Sequence, residues 1–239
     1  MTSIINVLRS KLGKYPLIKK VLLMPSHTRE RIQKKKSIQR FQKYGVEALN
    51  QFNACMNNNG FKYQLAFGTL LGAVREKDFI PHDDDLDFTM WIDDYKPEII
   101  DSLRDYGFKL VKTFSVDGDK FAKEDTFEYK GIYVDIFYVY KDEKGEPYTC
   151  YFVNQPGCTS RSSSIKKFGG LFTRRIYLSA SQTEKKIFFK GIEVSIPDNY
   201  DEVMRKVFGD NYLTPIPGWS HKDFSESMPN WLCIYKEYK

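Results

Sequence analysis

The chain has 239 residues, 41% of them hydrophobic and 15% aromatic, and a formal net charge of +6. That is enough apolar material for one large domain, or one domain with a small appendage. No run of about 18 apolar residues is present, which excludes an encoded membrane-spanning helix; the four cysteines (Cys55, Cys150, Cys158, Cys233) and three histidines (His27, His82, His221) include no Cys-x-x-Cys pair from which to build a zinc site.

The charge is unevenly spread. Residues 1–43 hold 12 Lys/Arg and one acid, Glu30, for a net +11, while the rest of the chain carries −5. This divides the chain into a basic helical arm, 1–43, and a mildly acidic body, 44–239. Such an arm suits an anionic surface, either lipid or nucleic acid; equally, its lysines suit the solvated face of a helix. Between Ile4 and Leu23 apolar residues are mixed with lysines, and Pro16 divides any helix there in two. The N-terminus lacks a signal-peptide pattern, and the thiols read as reduced. The expected location is cytoplasmic, with the arm holding the protein peripherally on the inner face of the membrane.

A long helix is predicted from an N-cap at Thr28 to Gly60, burying a stripe of Phe41, Gly45, Ala48, Leu49, Phe52, Cys55 and Met56. "FKYQLAF" (61–67) alternates and predicts a strand, "GTLLGAVR" (68–75) a glycine turn into a short helix, and "LDFTMWI" (86–92) a second strand. Residues 94–106 read as a helix ending at Gly107. "FKLVKTFSV", "DTFEYK" and "GIYVDIFYVY" (131–140) are further strands. Beyond Tyr148 the pattern weakens. "PGCTSRSSSIKKFGG" reads as a polar loop suited to substrate contacts, "KIFFKGIEVSIP" as a hairpin, and "NYDEVMRKVFGD" as a helix closed by Gly209. Helices first, then strands with interspersed helices, predict an α+β or mixed α/β fold.

The stretch "REKDFIPHDDDLDFTMW" crowds Asp78, Asp83, Asp84, Asp85 and Asp87 at the entrance to a strand. In a strand, residues i and i+2 share a face, so Asp85 and Asp87 point the same way with Cα atoms roughly 6.7 Å apart. Asp83, after Pro81, belongs to the entering turn, where it can fold back. Asp135 is an acid inside an apolar strand, costly to bury unless paired or bound to metal. If the two strands are neighbours, three carboxylates converge on a hard cation, Mg²⁺ or Mn²⁺. The Gly68-Thr69 turn can present backbone N–H groups to a phosphate. Arg75 and Lys77 either contact that phosphate or pair with the acids. An EF-hand loop is not met, because Phe88 and Asp94 stand where Gly and Glu are required. An acidic surface loop neutralised by the basic arm is the plainer alternative.

The segment "FGTLLGAVREKDFIPHDDDLDFTM" resembles the LicD family, which includes fukutin and the fukutin-related protein. "GIYVDIFYVY" and, more loosely, "GIEVSIPDNYDEVMRKVFGDNY" extend the resemblance over roughly residues 45–213. It implies a nucleotidyltransferase-like mixed sheet flanked by helices. It also implies that Asp85 and Asp87 are a metal-binding pair, Asp135 the third carboxylate, Asp83 an extension of the run, and Gly68 and Thr69 the glycine turn after the first strand. The implied activity moves an alcohol phosphate, such as phosphocholine or ribitol phosphate, from a CDP-activated donor to a sugar or lipid-linked glycan, with no nucleic-acid partner. Two other readings stay open. A nucleotidyltransferase moving NMP to a small molecule or RNA would use the same carboxylates. A non-catalytic basic scaffold on membrane or nucleic acid would leave Asp135 unexplained. A choline group calls for an aromatic cage, for which Tyr133, Phe137, Tyr138 and Tyr151 are candidates.

Overall fold

The computed structural model describes residues 26–215 and 224–238; the mixed apolar and basic stretch before Leu23 lies outside them. Helix α1 (Ser26–Asn59) runs unbroken across residue 43. Its predicted stripe is buried, with Phe41, Leu49, Phe52 and Met56 all at 2% exposure or less. Gly60 ends it at φ +66°, a left-handed turn that costs glycine least. The predicted cap, Thr28, lies inside the first turn, because the helix begins at Ser26.

The chain then forms β1 (Gln64–Leu65), α2 (Phe67–Leu71) with a π-helical turn over Gly72–Glu76, β2 (Asp85–Trp91) and α3 (Ile99–Asp105). Four strands follow: β3 (Lys109–Val116), β4 (Ala122–Tyr129), β5 (Ile132–Lys141) and β6 (Pro147–Val153). After α4 (Arg161–Phe168) come β7 (Leu171–Tyr177), the hairpin β8 (Glu184–Phe189) and β9 (Ile192–Pro197), α5 (Tyr200–Phe208) and β10 (Glu226–Glu237). This is an α+β fold. The main sheet has the order β1-β2-β5-β4-β3-β10-β7-β6, and β6 pairs in addition with the end of β5. The strands from β5 round to β6 therefore close into a circuit. Every pairing is antiparallel except β2 with β5, which is parallel.

Three elements differ from the sequence expectation. "FKYQLAF" is a strand for two residues only, since Phe67 at φ +40° turns the chain into α2. The serine-rich segment read as a loop contains α4, whose N-terminus is a capping box between Ser160 and Ser163: the serines start the helix instead of opposing it. Strand β10 escaped notice because Pro229 interrupts it, and its register shifts between Met228 and Leu232.

One face of β2, β5 and β4 packs beneath α1. Leu86, Phe88, Val134, Ile136 and Phe127 are buried there, and Phe52 of α1 stacks on Phe88 with ring centres 3.8 Å apart. Each such side chain contributes about 1.5–3 kcal/mol by leaving water. The same face holds a charged pair. Asp125, at 0% exposure, lies 3.2 Å from Lys123 Nζ and accepts a hydrogen bond from Tyr138 Oη at 2.9 Å. Lys123→Met would strand that carboxylate, and removing one partner of a buried pair costs about 3–5 kcal/mol. We expect the melting temperature to fall by on the order of 10 °C, and Lys123→Met/Asp125→Leu to recover most of it. A melt of Lys123→Met that matches wild type would show that the pair contributes nothing.

Candidate active site

The parallel register of β2 and β5 sets Asp85 beside Tyr133 and Asp87 beside Asp135. Direct partners project from the same face of a sheet, here the one turned away from α1. One carboxylate oxygen from each of Asp85, Asp87 and Asp135 lies within 4.8 Å of the other two. On its other side Asp135 is paired with Thr126 of β4.

The acid run divides into two classes. Asp84 is paired with Lys34 at 2.6 Å and Asp78 with Lys190 at 2.7 Å, as a neutralised surface loop would be. Asp83, Asp85, Asp87 and Asp135 have no ion pair among the described residues. Burial, with the charges of Asp135, Asp84 and Asp83, pushes the Asp85 carboxyl up to about 7. Burial and the charges of Asp85 and Asp135 hold Asp87 well above the usual carboxylate range. Burial also raises Asp135, against the Thr126 hydroxyl and the charges of Lys112 and Arg161. One Asp135 oxygen, Oδ1, is buried with no hydrogen-bond partner. Three carboxylates, one with an orphaned oxygen, suit a hard divalent cation such as Mg²⁺ or Mn²⁺.

The turn before α2 grips Asp87. Gly68 N–H donates to Asp87 Oδ2 at 3.2 Å, Asp87 N–H donates to Thr69 Oγ1 at 2.9 Å, and Ala66 N–H donates to the Asp87 carbonyl at 3.0 Å. Of the turn read from sequence as a phosphate cradle, the Gly68 N–H is thus engaged with a carboxylate. A Cβ at position 68 would stand 2.9 Å from Asp83 Oδ2, and one at position 72 would stand 2.7 Å from the Asp78 carbonyl oxygen. Glycine at both positions lets the acid run pass close over α2.

A cleft of ≈ 640 Å³ opens beside the carboxylates. Asp83, Asp85, Asp87 and His82 line one side, and Phe67, Phe137, Tyr151, Ile176, Phe208 and Tyr212 much of the rest. Arg75 also faces it; its Nη1 donates to the Tyr212 carbonyl at 3.1 Å and its Nε to Glu76 at 2.7 Å. Lys77 is exposed and outside the lining. Of the four cage candidates, Phe137 and Tyr151 line the cleft. Tyr133 stands on the carboxylate face at 42% exposure. Tyr138 lies on the opposite face, bonded to Asp125, so it cannot belong to the cage. Thr126, Ile176, Phe208 and Tyr212 were not singled out in sequence, since only strand order and the docking of α5 bring them here.

The model of the LicD/FKTN/FKRP nucleotidyltransferase domain matches residues 60–199. Ribitol-5-phosphate transferase FKTN of Homo sapiens is 29% identical over 191 residues, covering 80% of this chain and 37% of that protein. Lipopolysaccharide cholinephosphotransferase LicD of Haemophilus influenzae is 40% identical over 63 residues, covering 26% of this chain and 24% of that protein. The chain thus spans well under half the length of these relatives. The matched region takes in more than half of the chain and contains the Gly68 turn, the Asp85–Asp87 pair and Asp135, so the chain belongs to the LicD family.

Proposed function

We propose that the chain is a metal-dependent phosphotransferase that moves an alcohol phosphate from a CDP-activated donor to a sugar hydroxyl of a cell-surface or lipid-linked glycan. The observation that carries this reading is the convergence of Asp85, Asp87 and Asp135 within 4.8 Å. Family membership supports it, as do two relatives named for the transfer of ribitol-5-phosphate and cholinephosphate. In this reading the three carboxylates hold Mg²⁺ or Mn²⁺, with Asp83 at the mouth of the site. A bound divalent ion would neutralise the donor diphosphate and favour departure of CMP. Phosphoryl transfer asks the protein mainly for positioning and charge. Gly68 and Thr69 fix Asp87, and Arg75 lines the cleft, where a guanidinium suits phosphate. The Phe67, Phe137 and Phe208 wall keeps water from competing with the sugar hydroxyl.

The basic arm fits a peripheral place on an anionic membrane: Lys35, Lys36 and Lys43 of α1 are exposed, and each cation near such a surface adds about 1 kcal/mol. Among the described residues no helix is long and apolar enough to cross a membrane. Incubation with Mg²⁺, a glycan acceptor and CDP-choline, CDP-ribitol or other CDP-alcohols tests the reading. CMP release together with an acceptor heavier by the alcohol phosphate is expected. An acceptor heavier by a nucleotide would instead establish the nucleotidyltransferase reading.

Asp87→Asn removes one ligand charge and keeps the shape. Changes in the outer shell of metal sites already cost 10–100-fold, so we expect turnover to drop by at least about 100-fold. The metal-free variant should melt no lower than wild type, because mutual repulsion is relieved; a strongly lowered melt would make Asp87 a structural residue.

Chelation with EDTA should stop CMP release, and Mg²⁺ or Mn²⁺ should restore it. A pH signature follows from Asp85, whose carboxyl stands at about 7 against an ordinary 3.8. Folding favours its protonated form, so this contribution is full below 3.8 and lost as pH rises through about 7. The metal-free protein should lose stability as pH rises from 3.8 to about 7. Mg²⁺ should raise the melting temperature more at pH 8 than at pH 5, since binding must displace protons. An equal Mg²⁺ effect at both pH values would contradict this.

A further inference from the structure

A row of direct cross-strand partners crosses the sheet from the candidate metal site: Asp87 on β2, Asp135 on β5, Thr126 on β4 and Lys112 on β3. All four project from one face. At about 4.8 Å between strands, the Lys112 Cα stands roughly 10 Å from that of Asp135, within reach of a lysine side chain plus one anion. The lysine leans towards the carboxylates: its Nζ lies 4.1 Å from the centre of the Tyr133 ring, and Tyr133 is the direct partner of Asp85. The neighbouring row on the same face is Phe137, Glu124, Phe114 and Tyr235. Arg161, the first residue of α4, lies over the far end of that row, 5.4 Å from the Phe114 ring centre and 5.3 Å from that of Tyr235.

Both cations act on the carboxylates through space, favouring the charged forms of Asp135 and of the buried Glu124. Neither is within ion-pair distance of an acid among the described residues. Their placement is fixed by aromatic rings, which hold a cation without neutralising it. Arg75 approaches the triad from the β2 side, where the cleft lies; Lys112 and Arg161 approach from the β4–β3 side. These two cations and the triad, with its orphaned Asp135 Oδ1, together match a ligand that bears several negative oxygens and also binds divalent metal.

We propose that Lys112 and Arg161 hold the diphosphate of the nucleotide donor against the β4–β3 side of the carboxylate triad, leaving the apolar cleft on the β2 side for the alcohol and the acceptor. The inference rests on the phosphotransferase reading and adds the residues that orient the donor. A compact ammonium and a planar guanidinium fork are the side chains that bind phosphate oxygens best, as a point charge and as a bidentate clamp. The arrangement also directs the donor: its central diphosphate faces the two cations, and its alcohol end faces Phe137 and Tyr151.

The test is calorimetric titration of the full chain, with Mg²⁺ present, using CDP and inorganic pyrophosphate. Lys112→Met and Arg161→Gln should each weaken both ligands by roughly 10-fold or more, the loss expected for one charge-assisted contact. Lys166→Gln, exposed on the same helix as Arg161, should change neither, and Arg161→Lys should lose less than Arg161→Gln. In turnover, the donor KM should rise while the acceptor KM stays level. A second measurement needs no substitution: Mg²⁺–pyrophosphate should protect Lys112 of the wild-type chain from acetylation and leave Lys166 reactive. Unchanged affinity in both variants, or an unprotected Lys112, overturns the assignment. If no CDP-alcohol supports transfer yet the variants lose pyrophosphate, the anion site stands and the phosphotransferase reading falls. If transfer proceeds and pyrophosphate binding is untouched, the reading stands and the anion site falls.

Discussion

Like charges directly opposite each other on adjacent strands destabilise a sheet. Asp87 and Asp135 occupy that arrangement, and Asp85 adds a third acid to the same face. At an effective dielectric near 20, two unit charges about 4.8 Å apart repel by about 3–4 kcal/mol. What opposes this is the other face of the same two strands. Leu86, Phe88, Val134 and Ile136 are buried at 1% exposure or less, each contributing about 1.5–3 kcal/mol. A one-residue slip of β2 would move Leu86 beside Asp135 and turn Asp85 and Asp87 into the core. Apolar packing under α1 therefore outweighs the repulsion, and it dictates which carboxylates meet.

The rim of the site is arranged so that only some acids are neutralised. Lys34 and Lys190 take Asp84 and Asp78. Inside, the Asp87 carboxylate accepts from the Gly68 N–H, and the Asp87 N–H donates to the Thr69 hydroxyl, contacts that orient it without cancelling its charge. The backbone bears some cost for this. Phe67 is a bulky residue at φ +40°, a region costing a non-glycine residue about 1–3 kcal/mol. Its ring meets Phe137 edge-on at 4.9 Å, so the strained turn also builds the cleft wall.

The triad was legible because strand alternation is local: Asp85 and Asp87 two apart, and Asp135 isolated in an apolar run, are visible without knowing any partner. The α1 stripe was legible for the same reason, at helical period. Alternation would also have removed Tyr138 from the cage, since it falls out of phase with Tyr133, Asp135 and Phe137. Strand order was not legible. Lys112 and Thr126 belong to segments that read correctly as strands, yet only the pairing of β3 with β4 and of β4 with β5 places them beside Asp135. Arg161 was hidden differently: a serine cluster that looks like a loop is a helix cap, and the helix carries the arginine to the sheet.

The position of β10 has a bearing on how the chain reaches this structure. It fills the gap between β3 and β7, although its residues, 226–237, come after every other described strand in the chain. During synthesis, which runs from the N-terminus, β1 to β5 can pair and bring the three acids together while β3 and β7 still present open edges. Such edges attract other chains until they are covered. The Tyr235 ring that supports Arg161 arrives with β10 itself. The half of the molecule that gathers the carboxylates is thus available to fold early, whereas the circuit of strands, and the seat of one of its cations, waits for β10 to emerge.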